Sequence, residues 1–150
     1  MLQAGLRTAS ILLALAIAAC AATAPAFVPA APPADDRTLV YVYREDTQAG
    51  SADGITIFVD EDEIVTLDRK RYTRFYLVQG ERVIRVKEGP SDPRVYYLQF
   101  DGGDTRYFRL AGSDDARSGI VDLEFDHVPR GAGEKEIVSY RLQPPRRDVF

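Results

Sequence analysis

A chain of 150 residues with one cysteine and one histidine has few places for side-chain chemistry. Cys20 is the sole thiol, and it directly follows Ile17-Ala18-Ala19 at the end of an apolar run. A thiolate can accept an acyl or alkyl group, but a catalytic cysteine needs a base beside it. The one imidazole, His127, lies in Phe125-Asp126-His127-Val128-Pro129 with no nucleophile motif around it. Such a histidine reads as a surface or loop residue, and no catalytic residue is expected. Clustered oxygens occur in Asp60-Glu61-Asp62-Glu63, Asp101-Gly102-Gly103-Asp104 and Ser113-Asp114-Asp115. None has the spacing of a calcium loop, and Asp with Gly is also the chemistry of tight hairpins. Zinc is poorly served by one His and one Cys, so neither a metal nor a cofactor is expected. Tyr and Arg interleave at Tyr43-Arg44, Arg71-Tyr72, Arg74-Phe75-Tyr76, Arg94 with Tyr96-Tyr97, Arg106-Tyr107-Phe108-Arg109 and Tyr140-Arg141. These residue types dominate binding hot spots, and they also stack and pair across the outer face of a twisted sheet.

The surroundings of Cys20 say how it is used. One basic residue, Arg7, precedes the apolar run Ile11-Leu12-Leu13-Ala14-Leu15-Ala16, and small residues follow. That is the layout of a secretory signal, and it is too short for a membrane span. Ile17-Ala18-Ala19-Cys20 resembles the lipobox of bacterial lipoproteins. The resemblance implies cleavage before Cys20 and acyl chains on its sulfur and on the new amino group. Ala22-Thr23-Ala24 offers a competing cut that would release a soluble periplasmic protein. Residues 21–36 hold four prolines among alanines. They favour extended polyproline geometry, so residues 20–36 are expected to form a tether reaching roughly 45–50 Å from the lipid.

Without residues 1–19 the chain carries 18 basic and 23 acidic residues, a net charge of −5. An acidic chain gains nothing from a phosphate backbone, so nucleic acid is a poor partner. With no second cysteine to form a disulfide, the fold must be stable by packing alone. About 115 residues suffice for one domain. Runs rich in Val, Ile, Tyr, Phe and Thr predict strands at 38–44, 55–59, 63–67, 71–78, 81–87, 94–100, 105–110 and 120–125. Tyr96, Leu98 and Phe100 share one face, as do Phe75 and Leu77, and Ile84 and Val86. The expected fold is all-β: a small antiparallel sandwich of about 7–8 strands over residues 37–143. Residues 134–142 suit a short helix or a final edge strand. Gly131-Ala132-Gly133 reads as a loop, and the tail 144–150 is expected to fray.

Val40-Tyr41-Val42-Tyr43-Arg44, Ile57-Phe58-Val59-Asp60, Ile64-Val65-Thr66-Leu67, Tyr72 through Val78, Arg82-Val83-Ile84-Arg85-Val86 and Tyr107-Phe108-Arg109-Leu110 occur in this order along the chain. In this order, with Gly50-Ser51 in the first loop, the segment resembles the bacterial domain of unknown function 2846, a family frequent in small lipoproteins. Glu61 stands where that family has a glycine, and Gln79-Gly80 where it has Pro-Gly. The resemblance implies a β-sandwich in the cell envelope and no particular activity.

The expected function is that of a lipid-anchored, non-enzymatic accessory or protein-interaction module, held at Cys20 in the bacterial outer membrane and facing the periplasm. Ala21 carries no acidic inner-membrane retention signal. A second reading is a periplasmic module that binds cell-wall glycan or peptide through exposed Tyr and Arg. A third, a carboxylate-based hydrolase, needs two carboxylates about 5–10 Å apart in a pocket.

Overall fold

The computed structural model describes residues 27–46, 54–114 and 121–150. Cys20, the expected signal segment 1–19 and Gly50-Ser51 lie outside the described residues. The strands are β1 (Arg37–Arg44), β2 (Ile55–Val59), β3 (Asp62–Leu67), β4 (Arg71–Val78), β5 (Gly80–Glu88), β6 (Arg94–Phe100), β7 (Thr105–Asp114), β8 (Val121–Val128) and β9 (Arg141–Leu142), with α1 (Arg130–Ile137) before β9. They form two sheets, ordered β8-β7-β1-β4-β9 and β3-β2-β5-β6. The all-β sandwich predicted from residue pattern is therefore the fold.

One expectation is corrected. The first sheet is mixed, because β1 pairs in parallel with β7 and β4 pairs in parallel with β9. The remaining ladders are antiparallel. A parallel neighbour must come from far along the chain, so no local turn signal announces it.

Alternation decides what each strand buries. β2 shows the half-buried period of two, with Ile55, Ile57 and Val59 inward. Val40, Val42, Phe75, Leu77, Phe108 and Leu110 face the second sheet, and Ile57, Ile84, Val86 and Phe100 meet them from across the sandwich. The other face of β1 is covered too. Leu39, Tyr41, Tyr43, Tyr72, Tyr107 and Val128 form a second core with Ile137 of α1. The central strand is thus buried on both sides, and the molecule has three layers rather than two.

The C-terminal region is also corrected. Gly131-Ala132-Gly133, expected as a loop, lies inside α1, which starts directly after Pro129. Proline with φ −54° is already shaped for a helix start. A Cβ at Gly133 would lie 2.4 Å from the Tyr107 ring, so only glycine lets the helix approach the sheet this closely. Residues 141–142 then form the edge strand, so the helix and strand alternatives both occur in succession. The tail does not fray. It runs on along the free edge of β4, where Tyr76 N–H donates to Asp148 O at 2.7 Å and Phe150 N–H donates to Tyr76 O at 3.0 Å. Phe150 meets Phe75 edge-on at 5.8 Å. The tail satisfies backbone groups that an open edge would expose.

Candidate functional site

The outer face of the five-stranded sheet is built from tyrosines brought into register. Tyr41 on β1 lies opposite Tyr107 on β7, and Tyr43 opposite Tyr72 on β4. The Tyr41 and Tyr107 rings stack at 4.9 Å and 9°. Across this face runs the segment 27–36, which composition alone assigned to a free tether. Phe27 packs on Tyr41 at 5.7 Å and on Tyr72 at 5.4 Å. A polyproline-like segment makes no internal hydrogen bonds, so its backbone groups need outside partners. Side chains of the sheet provide them. Ala30 N–H donates to Tyr41 Oη at 2.8 Å, Tyr76 O–H donates to Ala31 O at 2.9 Å, and Arg74 Nη1 donates to Val28 O at 2.7 Å. Aromatic grooves hold proline-rich peptides by this mode. Gly102 makes the crossing possible, since a Cβ there would sit 1.8 Å from the Asp35 carbonyl oxygen.

Between this segment, the stacked tyrosines and α1 lies a cavity of about 370 Å³. Phe27, Pro32, Tyr41 and Tyr107 give it apolar walls, and Arg130 with Glu134 forms its rim. That pair, at 2.7 Å, is the i,i+4 contact of an exposed helix face. Burial pushes the Tyr107 phenol up to about 12, with the nearby Tyr41 adding to the effect. Burial likewise raises Tyr72 and Tyr140. Tyr43 rises by burial and by donating its O–H to Glu136 Oε2 at 2.6 Å. Glu136 also meets Arg109 at 3.6 Å, as does Glu45, while Asp126 lies at 3.5 Å. One guanidinium on β7 therefore gathers three carboxylates and ties α1 to the sheet. This is an ion-pair hub in which every acid faces the same cation.

Four of the eight tyrosines thus face inward. Tyr41, Tyr43, Tyr72 and Tyr107 are buried, whereas Tyr97 is 71% exposed. The expectation of a binding surface made of exposed tyrosines is corrected on this point: the sheet presents them to α1 and to its own proline-rich segment. His127 lies at the surface near the end of β8, its ring 5.5 Å from that of Phe108. The acidic turns meet arginines. Asp60 Oδ2 accepts from Arg82 at 3.1 Å and Asp60 Oδ1 accepts from Val83 N–H at 3.1 Å. Asp62 pairs with Arg147, and Glu63 with Arg146. Asp101 and Asp104 both pair with Arg106. The side chains of Ser113-Asp114-Asp115 lie outside the described residues. Among the described residues no group of three or more His, Cys, Asp or Glu could hold a metal ion. Millimolar calcium is accordingly expected to leave the thermal midpoint where equal ionic strength of sodium leaves it; a saturable upward shift would reveal a site.

Sequence reading missed the docked segment. Its signal was Phe27, an aromatic residue among alanines and prolines that had no reason to be there in a purely flexible spacer. No protein-family model matches the chain, and no curated protein sequence matches it. The resemblance to the domain of unknown function 2846 rests on the strand motifs alone.

Proposed function

We propose that the protein is a lipid-anchored module of the bacterial cell envelope, acylated at Cys20 and acting as a non-enzymatic accessory or interaction partner on the periplasmic side of the outer membrane. The observation that carries this reading is Ile17-Ala18-Ala19-Cys20 at the close of a basic-then-apolar leader. With residues 27–36 laid on the sheet, only residues 21–26 separate Cys20 from Phe27, which limits the reach to roughly 20 Å rather than 45–50 Å. Among the described residues no helix is long and apolar enough to cross a membrane.

Cys20→Ser tests the anchor. Wild type should take up radioactive palmitate and stay with membranes in high salt, since several acyl chains hold a protein durably and apolar attachment is not screened. The variant should remain as uncleaved precursor or be cut after Ala24 and appear in the soluble periplasm. Wild type that takes no label and washes off in salt would make the Ala24 cut the better reading.

The cavity beside Tyr41 and Tyr107 favours a second reading, a module that binds cell-wall peptide or glycan there. Titration with soluble cell-wall fragments should then quench tyrosine fluorescence saturably, and Glu134→Arg at the rim should alter the affinity. Absence of saturation removes this reading.

A further inference from the structure

The chain is acidic overall, yet one end of the sandwich collects cations. The β3–β4 turn carries Arg69 and Lys70, β4 opens at Arg71, and Arg141 of β9 lies in register beside Arg71. With Ser139 they line a cleft of about 440 Å³. The turn is held firmly. Lys70 takes a left-handed φ of 55°, which a side-chain-bearing residue adopts only under constraint. Its N–H donates to Arg44 O at 3.1 Å, and its carbonyl accepts from Arg141 N–H at 3.3 Å. Behind the turn lies buried Arg44, with Asp68, Glu88 and Arg69 as its charged neighbours. Asp46 reaches Lys70 at 3.9 Å. Arginines elsewhere meet carboxylates directly, as Arg82, Arg106 and Arg146 do. Arg71 and Arg141 have no carboxylate partner among the described residues.

The path of the docked segment says what this cleft faces. Phe27 packs on Tyr72, the residue next to Arg71, and the segment runs from there toward the start of β1. Phe27, the described residue nearest Cys20 in sequence, therefore sits at the same end as the cations. We propose that the cleft of Arg69, Lys70, Arg71 and Arg141 binds phosphate headgroups of anionic phospholipids in the membrane that holds the anchor, setting the domain upright with its β3–β4 turn against the bilayer. This rests on the anchor reading above. A spacer of roughly 20 Å keeps the cleft within reach of that surface, and clustered Lys and Arg are attracted to an anionic leaflet within a Debye length of it.

The test uses the unacylated chain from residue 20 with Cys20→Ser, which contains every contact described above. It is sedimented with vesicles of phosphatidylcholine alone or with about a third phosphatidylglycerol. Binding is expected to the phosphatidylglycerol vesicles only, and to vanish in 0.5 M salt, roughly three Å of Debye length or a little more. Each cation at an anionic surface changes partitioning about fivefold, so Arg71→Ala with Arg141→Ala should weaken binding about thirtyfold. Lys135→Ala with Arg37→Ala, neither of which lines the cleft, should not, and an unchanged far-UV spectrum shows that all variants fold. Equal binding to both vesicle types overturns the proposal. So does a thermal shift with inorganic phosphate in protein that ignores vesicles, since the ligand would then be a free anion. Palmitate labelling reads the anchor separately, so either idea can fail alone.

Discussion

Replacing Phe100 by Ala should lower the stability of the domain by about 3–5 kcal/mol. Phe100 closes β6 and is fully buried between the sheets. Its ring meets Phe108 edge-on at 6.3 Å, and the Arg106 guanidinium lies 5.4 Å above it. Truncation removes apolar contact from both sheets at once and leaves a cavity that twisted, hydrogen-bonded strands cannot close. Domains of this size are stable by about 5–15 kcal/mol, and this one has no disulfide to fall back on. Urea titration should show a midpoint shifted far down with an unchanged slope. An unshifted midpoint would mean that β6 turns its other face inward.

Raising the pH should unfold the protein through its second core. Burial raises Tyr107 to about 12, and Tyr43 and Tyr72 are raised above the ordinary phenol as well. The unfolded chain loses these protons near pH 10, while the folded chain still holds them. Above that value the unfolded state binds fewer protons, so stability must fall as pH rises. For Tyr107 the contribution is fully present below about pH 10 and is lost through about pH 12, at roughly 1.4 kcal/mol per pH unit. Phenolate absorbance should therefore rise in step with loss of the far-UV signal, as one cooperative event. Smooth ionisation of these tyrosines with the sheet intact would place them at the surface.

The strands were legible because alternation is a local property. Ile55-Thr56-Ile57 and Tyr96-Tyr97-Leu98 each show in a few residues which side faces inward. The second core was not. Leu39, Tyr41 and Tyr43 alternate with Val40 and Val42, and nothing in that run says whether the tyrosine side meets water or another layer. The answer depends on α1 and on residues 27–36, which carry the glycines and prolines that argue locally against packing. Gly133 was misread for the same reason: it is required by the ring of Tyr107, a partner on another strand. The cation cleft was equally hidden. Arg71 and Arg141 come together only through the parallel pairing of β4 with β9.

That the first strand pairs in parallel with the seventh has a consequence in time. Synthesis delivers β1 first, yet Leu39 sits beside Thr105 and Arg44 beside Leu110. The middle of the sheet stays half-paired until most of the chain has emerged. Contacts so distant in sequence close slowly, on the scale of milliseconds to seconds for all-β domains. During that interval Val40-Tyr41-Val42-Tyr43 is a bare, uncharged β-forming stretch able to pair with another nascent copy. The same strand that becomes the best-protected part of the finished molecule is its most vulnerable part while it waits.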